Sequence, residues 1–195
     1  MESISSFHKY LNKFVQLSSE EFEEVIRPRV LVRHFDKKDF ITQDGVVENY
    51  FNFLLKGVAR KFYKSGATEI STQIAQEGHI VLVEDSFLSR RPSDYCIECL
   101  ERTTTASISY TDLEAIYSTS AKMERMGRLA VTTMMILRER WQMQLLKLSP
   151  RERFLKFVHR HPALIQRVPQ KYLASYLNIQ PETFSRFKHL LRVKA

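Results

Sequence analysis

The spacing of apolar positions changes character twice along this chain of 195 residues. Near its start, "LSSEEFEEVI" predicts a short helix, with Ser18 or Ser19 as the cap ahead of acidic first-turn residues. From about Val30 to Tyr110 the apolar positions fall into short runs rich in β-branched and aromatic residues: "VLVRHF", "YFNFLLKGVARKFY", "TEISTQIA", "HIVLV", "DYCIECLE" and "TTTASISY". Turn signals at Asp44-Gly45, Ser65-Gly66 and Glu77-Gly78 separate several of them. Short strands with no long helix between them predict an antiparallel sandwich or barrel. Within it, "KFYKSGATEISTQI" reads as a hairpin turning at Gly66, and Gly57 interrupts a strand pattern, which marks a bulge or a close approach of backbones.

From "YTDLEAIY" onward the period is that of a helix. Met123, Met126, Ala130, Met134, Leu137, Trp141, Leu145 and Leu148 recur at about 3.57 residues per step, close to a coiled-coil repeat. A helix of roughly 37 Å runs past what one small domain can cover, so Met123, Met126, Ala130, Met134, Leu137 and Trp141 are expected at a dimer interface. Burial of the same stripe on the chain's own domain is the competing reading. Ser149-Pro150-Arg151-Glu152 then closes this helix and caps the next, with Ser149 as N-cap and Pro150 at the first helical position. That cap is the expected domain boundary.

The last stretch, "VPQKYLASYLNIQPETFSRFKHLL", predicts two short helices, opened by Pro169 and Pro181. Asn178 stands between them where a left-handed residue would reverse the chain sharply. Two helices joined so make a helix-turn-helix, whose second helix suits the DNA major groove. Phe184, Phe187 and Leu191 recur on its core face, leaving Glu182, Thr183, Ser185, Arg186 and His189 to reach outward. Arg186 matches a guanine edge, Glu182 a cytosine amino group, and Thr183 or Ser185 a phosphate. Lys171, Lys188, Arg192 and Lys194 are expected at the DNA backbone.

Charge strengthens that reading. The formal net charge is +8, but from Lys147 onward eleven Lys or Arg face two Glu, a net +9, while the first 146 residues hold 19 basic and 20 acidic residues, a net −1. An excess confined to the last quarter points to an anionic partner there. Hydrophobic residues at 44% and charged residues at 27% describe a chain folded throughout. No apolar run approaches the roughly 20 residues of a membrane span, and Glu2, His8 and Lys9 stand where a signal peptide would be apolar. A cytoplasmic protein with no membrane partner is expected. Cys96 and Cys99 fit a reducing compartment and read as buried structural residues, because two thiols fall short of a four-ligand metal site. Scattered histidines and the lack of a G-x-S-x-G motif give no catalytic and no metal site.

Two stretches, "SPRERFLKFVHRHPALIQRVPQKYLASYLNIQPETFSRFK" and "EGHIVLVEDSFLSRRPSDYCIECLERTTTASISYTDLEAIY", resemble the Crp/Fnr superfamily of bacterial transcription regulators. The resemblance implies an α+β fold: an N-terminal antiparallel β-roll of the double-stranded β-helix or jelly-roll type with flanking helices, a long dimerisation helix, and a small all-α helix-turn-helix domain. It divides the chain into a cyclic-nucleotide-binding-like sensory domain over 1–117, the long helix over 118–148 and a DNA-binding domain over 149–195. It implies a homodimer on DNA, with RNA polymerase and a small-molecule effector as further candidate partners. The family's base-reading Glu and Arg fall on Glu182 and Arg186, but the chain stops at Ala195 without room for the family's β-hairpin wing. For an effector the candidate residues are Glu84, Asp85, Arg91 and Ser93. Pro92 stands where the family's phosphate-binding Arg belongs, so cyclic AMP binding in the usual manner is not expected and the cofactor stays unknown. A regulatory protein-interaction module that no longer binds DNA is the alternative function.

Overall fold

The short apolar runs become two four-stranded antiparallel sheets in the computed structural model, which describes residues 4–192 and side chains as far as Lys188. One sheet orders β1 (Leu31–Phe35), β8 (Thr103–Ser109), β3 (Tyr50–Lys56) and β6 (Ile80–Val81). The other orders β2 (Phe40–Thr42), β7 (Cys96–Cys99), β4 (Ala59–Ser65) and β5 (Thr68–Ala75). The run "YFNFLLKGVARKFY" is therefore two strands in different sheets. Gly57, at φ +96°, turns the chain between them, and a Cβ there would lie 2.5 Å from Thr103 Oγ1 and 2.7 Å from the Arg102 and Thr103 backbone. Only glycine lets the crossing pass so close. The expected hairpin joins β4 to β5, with Ser65 opposite Thr68 and Gly66 at φ +59°.

Alternation along the strands sorts side chains into two layers. Leu54, Ala59, Val81, Ile97 and Cys99 are buried between the sheets. Phe53, Ala106 and Ile108 point outward, under α1 (Ser5–Leu11), α4 (Tyr110–Tyr117) and α5 (Ala121–Lys147), where they meet Phe7, Leu11, Met123 and Met126, while Ser18 caps the short α2 (Ser19–Glu21). The opposite flank is covered by α6 (Pro150–Arg160), α7 (Leu164–Arg167), α8 (Gln170–Tyr176) and α9 (Pro181–Arg192). Phe154, Phe157, Leu173 and Phe184 of these helices share one apolar cluster with Val58, Ile74 and Leu100 of the roll. Cys96 and Cys99 are free and buried, and burial pushes the Cys99 thiol up to about 11. Among the described residues no helix is long and apolar enough to cross a membrane.

The stripe on α5 meets largely the chain's own domain, the competing reading of its period. Met123, Met126 and Ala130 are buried against the chain's own core, Met134 packs on the same cluster, and Trp141 stacks on Tyr176 at 4.3 Å. Of the six residues expected at a dimer interface, only Leu137 is exposed. The period is real, but the first sheet lies against the N-terminal half of the stripe and consumes it. The large apolar residues that α5 leaves open are Val131, Met135, Ile136 and Leu137 in its middle and Leu146 near its end.

Candidate nucleic-acid interface

The helices of the last quarter are fixed by local chemistry. At the start of α6, Ser149 Oγ accepts from the Glu152 amide at 3.3 Å while the Glu152 carboxylate accepts from the Ser149 amide at 2.8 Å, a capping box. The Ser149 hydroxyl, donating at 2.7 Å, and then the amide hold the Glu152 carboxyl below the usual range. Pro181 opens α9, whereas Pro169 stands one residue ahead of α8 in an extended conformation. Between α8 and α9, Asn178 adopts φ +51°, as the expected sharp reversal requires. Its amide and that of Ile179 donate to the carbonyls of Ser175 and Ala174 at 3.0 and 2.9 Å, closing the end of α8.

Packing then sets the roll of α9. Phe184 is 1% exposed and meets Phe154 edge-on at 5.1 Å, with Phe187 at 5.6 Å from the same ring. Glu182, Ser185, Arg186 and Lys188 are left exposed and Thr183 half-buried, with Arg186 Nη2 donating to Thr183 Oγ1 at 3.1 Å. Lys171 is exposed on α8, its ammonium 4.9 Å from the Tyr172 ring. The side chains of His189 and Arg192, and all of Lys194, lie outside the described residues.

The head formed by α6 to α9 sits on the roll through α8, not α9. Ser175 Oγ accepts from the Ser71 amide at 2.9 Å. Arg60, 2% exposed, lies between the rings of Phe62 and Tyr172 at 3.9 and 3.6 Å and donates to Glu69 and Glu98 at 2.6 and 2.7 Å. Arg167 spans Glu77 and Glu101, with donor distances of 2.6 Å to the first and 2.5 Å to the second. Burial works to raise Glu77, but the bonds from Arg167 and from the Gly57 amide outweigh it and hold the carboxyl low. His79 and His161 face each other edge-on at 6.4 Å. Burial holds both below the ordinary histidine value, helped by His161 and Lys13 at His79 and by Arg160 at His161. Sequence reasoning missed Arg60 in a strand and Arg167 in the basic tail, because a cation carries no mark of the direction it faces.

The candidate effector residues do not gather around an open cationic site. Glu84 pairs with Lys61 at 2.5 Å, and the same ammonium donates to the Leu82 carbonyl at 3.1 Å. Asp85 and Arg91 are exposed, at either end of α3 (Glu84–Ser89). Ser93 is buried and spends its hydroxyl on the Tyr95 backbone, 2.9 Å from both its amide and its carbonyl. Arg90, at φ +60°, reaches the Glu48 carbonyl at 2.8 Å and stacks over Tyr110 at 4.5 Å. The cation near Glu84 is thus Lys61, a strand residue whose alternation gave no sign of it. A cavity of about 240 Å³ lies outside the first sheet, between it and α5, lined by Leu82, Phe87, Ile116, Met126, Ala130 and Met134.

No protein-family model matches the sequence, and no curated protein matches it either. The fold does match solved structures. FixK2 from Bradyrhizobium japonicum superposes with a TM-score of 0.69 at 17% identity, over 85% of each chain. The c-di-GMP responsive global regulator CLP of Xanthomonas campestris gives 0.64 at 13% identity, over 98% of this chain and 93% of that one. The catabolite activator protein of Thermus thermophilus gives 0.58 at 18% identity, over 95% and 87%. The fold is that of the Crp/Fnr regulators.

Proposed function

We propose that this protein is a transcription regulator of the Crp/Fnr type that binds DNA as a homodimer, with α9 as the helix that enters the major groove. The observation that carries the reading is the division of α9: Phe184 and Phe187 anchor it to Phe154, while Glu182, Ser185, Arg186 and Lys188 stay open. A helix fixed by one face and polar on the other presents donors and acceptors to base edges. Arg186 and Glu182 read bases, Thr183 and Ser185 contact phosphate, and Lys171 and Lys188 neutralise the backbone, with His189 and Arg192 continuing the same helix. These roles divide the chain into a sensory roll over 1–117, a dimerisation helix over 118–148 and a reading head over 149–195. The dimer forms on Val131, Met135, Ile136 and Leu137, the exposed apolar residues in the middle of α5. RNA polymerase is the further partner of this role, and the cytoplasm its location.

The sensory roll does not take cyclic AMP in the family manner. Pro92 replaces the phosphate-binding Arg, Glu84 is neutralised by Lys61, and the Ser93 hydroxyl is engaged at home. Calorimetric titration with cyclic AMP is expected to give no heat, and micromolar binding would contradict this.

A gel-shift titration at two salt concentrations tests the main proposal. A duplex binder making six phosphate contacts loses about a thousandfold in affinity between 50 and 200 mM salt. A protein-interaction module shifts no duplex at either concentration.

A further inference from the structure

Arg153 counts in sequence among the eleven cations of the tail, yet it is only 8% exposed. Its guanidinium donates to four backbone carbonyls: Nε to Leu177 at 2.8 Å, Nη2 to Asn178 at 2.7 Å, and Nη1 to Leu148 at 2.6 Å and Leu145 at 3.1 Å. Among the described residues no carboxylate pairs with it. Leu145 and Leu148 belong to the C-terminal end of α5, and Leu177 and Asn178 to that of α8, where helices leave carbonyls without partners. The partial negative charge of two helix ends balances the guanidinium in place of a carboxylate.

We infer that Arg153 is a positioning residue, a staple between the end of the long helix and the turn ahead of α9 that fixes the direction in which α9 is presented. A planar guanidinium fork reaches both helix ends at once, and a lysine ammonium, a point charge on a flexible stem, does not. Trp141 on Tyr176 is a second contact in the same joint, at 4.3 Å with planes 7° apart, and it is the chain's only tryptophan. The consequence for DNA rests on the function proposed above: in a dimer the direction of α9 relative to α5 sets the separation of the two reading helices.

Arg153→Lys and Arg153→Met in the full chain test the staple. Both variants are expected to keep a cooperative melt, to shift Trp141 emission to the red, and to exchange the Leu177, Asn178 and Ile179 amides about tenfold faster. On duplexes whose half-site separation changes one base pair at a time, the wild type prefers one separation, and the variants lose about tenfold of that preference. Wild-type emission and exchange in both variants overturn the inference. So does collapse of the whole chain in both, because Arg153 would then hold the fold and not the joint. If the wild type binds no duplex at all, the proposed function fails, and emission and exchange still judge the staple alone.

Discussion

Phe53 on the first sheet meets Phe7 and Tyr10 at 5.1 Å, whereas Arg60 on the second sheet meets Glu69, Glu98 and the Tyr172 ring. One flank of the roll is covered mainly by apolar packing; the other adds the Arg167 ion pairs, the Tyr172 ring and the Ser71–Ser175 hydrogen bond to an apolar cluster through Val58, Ile74 and Leu100. Apolar burial scales with area and is indifferent to pH and to moderate salt. Ion pairs that keep part of their solvent contribute little net and respond to both. The N-terminal half of the long helix is therefore held by packing that conditions barely touch, and the head's attachment adds to its apolar part contacts that conditions can loosen.

The comparison breaks first at its apolar side. Phe53→Ala is expected to cost about 3 to 5 kcal/mol in denaturant unfolding, through lost burial and the cavity it leaves; a loss under about 1 kcal/mol would mean that this flank is no firmer than the other. Arg167→Ala comes next. It leaves Glu77 and Glu101 facing each other without their cation, and with both carboxylates more than a third exposed the cost is about 1 kcal/mol. Faster hydrogen exchange at the Ser71 amide, which bonds Ser175, measures it, and the Ile108 amide under α5 should not change.

Acid sharpens the contrast with a smaller effect. His79 and His161 lie below the ordinary value of 6.5 when the head is docked, so their contribution is complete above that value and is lost as pH falls below it. Glu77, held low, keeps its contribution until pH falls below the ordinary 4.5. Of these three groups only the histidines act between pH 7 and 5.5. Exchange at Ser71 should quicken over that window while Ile108 stays constant, and His79→Gln should blunt the response. An equal change at both amides would erase the distinction between the flanks. Ser175→Ala is the mildest break, about 0.5 kcal/mol for one lost acceptor, again read at Ser71.

Local signals were legible in the sequence because they depend on neighbouring residues alone. The Ser149 capping box, proline at the start of α9, Asn178 in the left-handed region and the Gly66 hairpin all stand where the residues place them. What a face meets was not legible. The stripe on α5 has the right period, yet no period shows that Met123, Met126 and Ala130 face a sheet. The strand β2 spans three residues and α3 six, too short for any pattern to register. Arg153 and Arg167 counted only toward the charge of the last quarter, and Lys61 carried no signal, because the Asn178 carbonyl, Glu77 and Glu84 that they bond lie 23 or more residues away in sequence.

Selection of bound duplexes from a random pool, with the wild type and with Arg186→Ala side by side, tests most directly whether α9 reads DNA. The account predicts a two-fold symmetric site for the wild type, and for the variant a loss of about 1 to 3 kcal/mol with relaxed preference at one base per half-site. An unenriched pool, or the same base preference from both proteins, would contradict it.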